Sequence, residues 1–393
     1  VTTNTPAQTA ALAAGSVTLS LGLGTRAAFG LFLVPLDVLG IPIATTAFAI
    51  ALHNLVWGVA QPVVGGMVDR HGTARIIAIG VLLYAAGFAL PALMPAVWSV
   101  MLGIGVLTGL GTACTTFGVT LPSVARAFPA ERRSATAGLV SAGGSVGQML
   151  MLPLVALAIA WGGAVAGLLT LAAVLLMALP MGRPLDRAAL ETPAPRRSVA
   201  AVRAALGDRT FILVTLGFFT CGFQLAFLST HLPGYLSLCG MPTATGAWAL
   251  MLVGGANIAG SYLCGRMGQR IAPQYVLAGV YIIRGLAIIA FLYAPKTALS
   301  TALFAIVMGL LWLGTVPLTN GVIARRFGVA NLGALFGVCF ISHQIGSFIG
   351  AWMGGLAFAA TGSYDAALVA TAISGFVAAA FNLPIREPRT ALA

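Results

Sequence analysis

Two arginines sit inside apolar runs with nothing acidic beside them: Arg26 in GLGTRAAFGLFLVPL (22–36) and Arg284 in GVYIIRGLAIIAF (279–291). A guanidinium is a permanently charged planar fork whose geometry matches a carboxylate with two parallel hydrogen bonds. Residues 26, 30, 33 and 37 fall on one helical stripe, so Arg26 can face inward with Gly30 leaving room above it. Asp37 ends that stripe about 16 Å away by helix rise, too far to pair. Two readings follow for Arg26. Either it bonds to a neighbouring helix, or its partner is the anionic group of a substrate, and an ionisable residue held in a membrane favours the second. For Arg284 a structural bond to backbone or to polar residues on span 8 is the favoured reading.

Other polar groups could complete such a site. His231 follows Gln224 by one heptad in CGFQLAFLSTHLPGYL (221–236), and His343 precedes Gln344 in FISHQIGSFIGAWMGG (340–355). His53 and Asn54 adjoin in LHNLVWG (52–58), with Trp57 four residues after His53. Each histidine could carry a proton near neutrality, or stay neutral and tied to a helix neighbour. Gln148, Asn257, Trp312, Thr319 and Asn320 are further candidates for a polar lining. No Asp or Glu lies well inside an apolar run. A carrier of cationic drugs would need an embedded carboxylate, so two embedded cations without one point to a small organic anion. Efflux of a hydrophobic compound is the alternative.

Several chemistries are not supported. The cysteines (114, 221, 239, 264, 339) show no CxxC or Cys/His spacing, so neither a metal nor a disulfide framework is expected. GGSVG (143–147) matches the hydrolase elbow G-x-S-x-G, but that elbow needs a strand before it, and this copy lies in an apolar helix. No ATP-binding loop appears, so primary pumping is not expected, and no catalytic constellation near an interface appears, so neither an enzyme nor a cofactor is expected. An anion channel would show broken helices and ring-like repeats, and neither is legible.

The elements that position these residues are membrane helices. Of the 393 residues 59% are hydrophobic and 7% charged, against about 25% charged in an ordinary soluble domain. Segments in lipid must satisfy their backbone internally, which makes the reading all-helical. Apolar runs of about 20 residues place spans 1–6 at 14–36, 44–67, 75–94, 97–124, 135–160 and 163–182. Spans 7–12 follow at 210–236, 244–267, 275–294, 297–324, 332–359 and 364–385. With the N-terminus cytoplasmic, 17 arginines fall in inner loops and the C-terminal tail and Lys296 alone in outer loops. That asymmetry sets both termini inside. It also explains the net charge of +12 without nucleic acid. VTTNTPAQTAALAAG has no basic leader region, so span 1 is expected to be retained. Glycines at 105 and 109, 143 and 147, and 346, 350 and 354 have the spacing that lets membrane helices approach closely.

The two halves echo each other. Gly65 and Arg70 after span 2 recur as Gly265 and Arg270 after span 8, offset 200; SVARAF (123–128) recurs as GVIARRF (321–327) at 199; Phe29 and Pro35 recur as Phe227 and Pro233 at 198. In these registers Gln224 takes the place of Arg26, and Arg284 that of Tyr84. Such duplication implies two six-helix bundles, 1–182 and 210–393, joined by a cytoplasmic linker, 183–209, with a surface helix around 198–206.

GGMVDRHGTAR (65–75) resembles the loop 2–3 motif of the major facilitator superfamily, G-x-x-x-D-R-x-G-R-R/K, with Gly65, Asp69, Arg70, Gly72 and Arg75 in place and Thr73 and Ala74 at two basic positions. The resemblance implies twelve transmembrane helices in two pseudo-symmetric bundles, an all-α membrane protein of the bacterial inner membrane, usually monomeric, with spans 3, 6, 9 and 12 peripheral. It implies a gating role for Asp69, Arg70, Arg75 and Arg270, whose contacts hold one conformation closed and break in the other; a plain loop anchor is the other reading. GTRAAFGLFLVPL on span 1 also resembles the monocarboxylate-porter branch, which carries a basic residue at about this place. That branch pairs Asp and Arg on helix 8, where this chain has Asn257 and Ser261. The resemblance implies a secondary transporter of a monocarboxylate, bound between spans 1 and 7 by Arg26 with help from Gln224, His231 and His343. Proton symport and anion exchange both stay open.

Overall fold

A computed structural model describes residues 4–188, 199–327 and 332–386; the side chains of Asp69 and of residues 130–135, 137, 199–201 and 333 lie outside the described set. Among the described residues every regular element is a helix. Eleven segments are long and apolar enough to cross a membrane: Pro6–Val38, Ile43–Val68, Thr73–Leu93, Val97–Ala125, Gly138–Arg187, Arg209–Leu238, Ala244–Arg270, Pro273–Tyr293, Ala298–Phe327, Ala334–Thr361 and Asp365–Asn382. The fifth is 50 residues long, more than twice the ~20 a bilayer needs. Gly162 and Gly163 leave helical geometry inside it, Gly163 at φ +65°. It therefore makes two crossings, spans 5 and 6, and the total is twelve.

Local chemistry explains where helices begin and break. Span 1 starts at Pro6, eight residues before the apolar run, because Thr5 and Gln8 form a reciprocal cap: the Gln8 N–H donates to Thr5 Oγ1 (3.2 Å) and the Thr5 N–H to Gln8 Oε1 (3.1 Å). Asp208 caps span 7 by accepting from the N–H groups of Thr210 (2.9 Å) and Phe211 (3.2 Å). Between these lies a helix over Val199–Leu206; residues 189–198 of the expected linker are outside the described set. The expectation of unbroken helices is corrected at two places. Span 4 runs as a π-helix over Met101–Leu107 and an α-helix over Thr108–Thr115, turns extended at Thr116, and resumes over Phe117–Ala125. Span 10 stops at Leu311 and resumes at Thr315. There Pro317 offers no N–H, and its ring disfavours a helical carbonyl at Leu313.

Backbone contacts divide the chain into two compact units, residues 1–194 with 246–251, and residues 195–245 with 252–393. Within the first the most extensive helix pairing is span 1 with span 5; within the second it is span 7 with span 11. Glycines make both possible. A Cβ on Gly147 would sit 2.0 Å from Ser20 O, and one on Gly346 2.1 Å from Phe219 O. The two contacts are the same contact at offset 199. Other bonds repeat as well. Tyr84 Oη donates to Gly22 O (3.1 Å) and Tyr281 Oη to Gly217 O (2.7 Å). Gln8 reaches Ala127 O (3.0 Å), and Asp208, 200 residues on, reaches Arg326 (2.7 Å). The tyrosine pair corrects one local register: Tyr281, not Arg284, does in span 9 what Tyr84 does in span 3.

Candidate functional site

Arg26 lies in the last turn of the Pro6–Ala27 helix, just before the chain tightens into a 3-10 turn over Phe29–Phe32. The partial negative charge of that helix end favours a cation there. Span 2 supplies its surroundings. Arg26 Nη2 donates to Asn54 Oδ1 at 3.0 Å, and the guanidinium lies 5.3 Å from the Trp57 ring centre. Asn54 presents its oxygen because its nitrogen is spent on Ile50 O (2.9 Å). The Trp57 indole N–H donates to Gln61 Oε1 (2.8 Å), and Gln61 Nε2 donates to Ala113 O (3.2 Å), bracing span 2 against the helix end before the Thr116 break. Arg26 Nε is buried with no partner, and among the described residues no carboxylate pairs with the guanidinium. One of its five N–H donors is used. A carboxylate needs two of the others.

His53, one residue before Asn54, lies 6.3 Å from the Trp57 ring centre but spends its hydrogen bond on span 4. Thr108 donates its hydroxyl to Ile104 O and so accepts from His53 Nδ1 (2.8 Å), which leaves His53 Nε2 bare and buried. Phe29 packs edge-on against the imidazole, ring centres 4.8 Å apart.

Arg284 has a different setting in the second unit. It is 0% exposed and serves the break in span 10: Nη2 donates to the carbonyls of Leu311 and, at 2.6 Å, Trp312, both freed where that helix stops. Nη1 reaches Gln224 Oε1 (3.5 Å) and Cys221 Sγ (3.7 Å) on span 7, and the guanidinium lies 5.6 Å from the Tyr281 ring centre. Asn257 tends the other side of the break, its Oδ1 accepting the Leu313 N–H (2.9 Å) and the Ser261 hydroxyl (3.1 Å). Arg284 thus bonds to backbone, but on span 10 and not span 8. It is a helix-break cap.

The remaining second-unit candidates have partners of their own. The Gln224 amide donates to Thr371 O (3.0 Å) and accepts from Arg284. His231, 0% exposed, donates Nε2–H to Ala351 O (2.7 Å) and packs on Tyr364 and Phe227, with Nδ1 buried and unpartnered. A Cβ on Gly354 would fall 2.2 Å from its ring. His343 Nδ1 lies 3.0 Å from Gln344 Oε1, its ring between Phe218 and Phe340. Trp312 contributes the carbonyl that Arg284 holds, and its side chain is buried. The structure therefore gathers Arg26, Asn54 and Trp57 into one cluster and Arg284, Gln224, Asn257 and Trp312 into another, with His231 apart.

At the loop ends of spans 2, 3 and 8, Arg70, Arg75 and Arg270 are exposed and make no hydrogen bond or ion pair among the described residues, and the Asp69 side chain is outside the described set. Asp186 holds the loop after span 2: its two oxygens accept the N–H groups of Thr73 (2.7 Å) and Ala74 (2.9 Å), next to Gly72 at φ +82°. Arg126 donates to Thr73 Oγ1 (2.8 Å) from the end of span 4, as Arg325 donates to Gly268 O (2.7 Å) from the end of span 10. Gln61 and Asp186 were missed in the sequence. The signal for Gln61 was its place one helical turn after Trp57; for Asp186 there was none, since its partners are backbone groups 113 and 112 residues away.

The family model for the Major Facilitator Superfamily matches residues 12–351. The chain belongs to the major facilitator superfamily. As a member it is a transporter that carries small molecules across a membrane, and not an enzyme. Among its relatives, the uncharacterised superfamily transporter YcxA of Bacillus subtilis (strain 168) is 27% identical over 359 residues, 86% of this chain and 85% of the relative. Monocarboxylate transporter 13 of Bos taurus is 25% identical over 358 residues, 89% of this chain and 82% of the relative. The crystal structure of a bacterial homolog of the human lysosomal transporter Spinster, inward-facing and unoccupied, superimposes with a TM-score of 0.72 at 14% identity over 97% of both chains. That likeness bears on the fold alone.

Proposed function

We propose that this transporter carries a small organic anion, a monocarboxylate foremost, by alternating access in the bacterial inner membrane, coupled to proton symport or to anion exchange. Arg26 carries the reading: a cation in a membrane helix whose polar partner is the neutral Asn54, with Nε buried and unpartnered and no carboxylate paired to it among the described residues. Asn54 and Trp57 aim the guanidinium, and an incoming carboxylate supplies the charge the chain does not. The match to a monocarboxylate transporter over most of both chains supports the same class.

The test is thermal stabilisation of the purified protein by a panel of carboxylates, neutral solutes and lipophilic cations, beside Arg26→Gln. A ligand at 100 times its dissociation constant adds about 2.7 kcal/mol. Stabilisation by carboxylates that vanishes in Arg26→Gln is expected. Stabilisation by cations, or by carboxylates equally in both proteins, would make Arg26 structural and favour efflux of hydrophobic compounds.

A further inference from the structure

Near the end of each half the internal repeat reverses charge at two successive positions, Asp186 to Arg386 and Arg187 to Glu387. Pro184, Leu185 and Asp186 of the first half recur 200 residues later as Pro384, Ile385 and Arg386. In the first half the Asp186 carboxylate occupies the N-terminus of the span 3 helix, accepting the N–H groups of Thr73 (2.7 Å) and Ala74 (2.9 Å). The matching residues, Pro273, which has no N–H, and Gln274, whose N–H is the remaining counterpart donor, open the 21-residue span 9 helix, and its N-cap Ala272 brings no side-chain cap. The anion that closes the first helix start has an arginine in its place at the second.

What surrounds that helix start is cationic. A recess there is lined by Thr210, Gln274, Arg325, Arg326 and Arg386 among its polar residues. Arg326 pairs with Asp208 (2.7 Å) and Arg325 donates to Gly268 O, while Arg386 is exposed and has no hydrogen bond or ion pair among the described residues. Among the described residues, three arginines and one carboxylate, Asp208, meet at this helix start. Gln274 is 3% exposed, and its buried amide oxygen has no partner. The O and N ends of such an amide are interchangeable by a flip, so the side chain can present its N–H₂ to the recess. Helix N-termini and arginine forks both favour phosphate oxygens. The arginine-rich loops put this end of the helix on the cytoplasmic side, at headgroup level.

We propose that this recess is a phosphate-binding site, in which an external phosphate group stands where the Asp186 carboxylate stands in the first half. A lipid headgroup and free phosphate share that chemistry. The test uses the full chain, with Glu387→Gln as a parallel background that removes the carboxylate next to Arg386 in the sequence. Inorganic phosphate is titrated against chloride at equal ionic strength, and nanodiscs of phosphatidylglycerol are compared with phosphatidylcholine. The readouts are melting temperature and lipid retained in native mass spectrometry. Arg386→Asp rebuilds the first-half arrangement and should weaken binding at least tenfold while folding normally without phosphate; Gln274→Leu should weaken it independently. Binding of phosphatidylglycerol alone supports a headgroup site, and binding of both supports phosphate recognition as such. No response to either, or an equal response in Arg386→Asp, overturns the proposal.

Discussion

Adding one methyl group to Gly147 or Gly346 should destabilise the protein, while the same change nine residues earlier on each helix should not. A Cβ on Gly147 would lie 2.0 Å from Ser20 O and one on Gly346 2.1 Å from Phe219 O, whereas at Gly138 and Gly337 nothing lies within 4 Å. Ordinary contact begins at 3.4 Å, so the paired helices must separate by 1.4 and 1.3 Å respectively. A gap of 0.5–1 Å already forfeits roughly a quarter to a half of the dispersion well. In a membrane, where packing and not the hydrophobic effect joins helices, little replaces that loss. Overpacking costs about 1–3 kcal/mol, set against the ~1 kcal/mol that alanine gains over glycine in a helix. Gly147→Ala and Gly346→Ala should therefore melt below the parent, and Gly138→Ala and Gly337→Ala at or above it. Thermal unfolding in one detergent reads all four. If Gly147→Ala and Gly346→Ala match or exceed their controls, the close helix approach at these two matched positions is wrong.

Two further results should follow from other residues. Arg284→Lys keeps the charge but cannot fork between the Leu311 and Trp312 carbonyls; one buried acceptor left unpaired should cost about 1–3 kcal/mol, seen as a lower melting temperature with ligand stabilisation retained. Burial alone would raise the Asp208 carboxyl, but the Arg326 guanidinium and the N–H groups of Phe211 and Thr210 outweigh it and hold it below the usual carboxylate range. A depressed folded value gives stability that is present above the ordinary pKa near 4 and lost as pH falls through the folded value. Asp208→Asn should flatten that acid limb of a melting-temperature profile, and an unchanged limb would contradict the pairing.

Much of the fold was legible because a bilayer imposes few solutions. Apolar runs gave the helices, arginines the loops, and GGMVDRHGTAR the family. Of the two glycines at the turn, Gly162 fell in the gap expected between spans 5 and 6, and Gly163 at the expected start of span 6. The breaks in spans 4 and 10 were not legible, since a proline or threonine in an apolar run breaks a helix only where neighbours such as Arg284 and Asn257 can take the freed groups. Register was the weaker link: loop motifs aligned the halves within a residue or two, but the placement of Tyr281 against Tyr84 needed their shared bond to the glycine carbonyls. Asp186 was invisible because it recognises backbone, which leaves no mark on side-chain spacing. For the site, residue type was readable at Arg26 and, as polar candidates, at Asn54 and Trp57, but their pairing with Arg26 was not, because it joins two helices whose facing sides no spacing reports.

The central claim is that Arg26 meets the substrate's anionic group, and equilibrium binding by calorimetry tests it most directly. Purified protein, Arg26→Lys and Arg26→Gln would each be titrated with the carboxylate that stabilises the parent best. A hydrogen bond to a charged group contributes about 1.5–3 kcal/mol, so Arg26→Gln should bind at least tenfold more weakly, with Arg26→Lys between the two. Equal affinity in all three proteins would contradict the account.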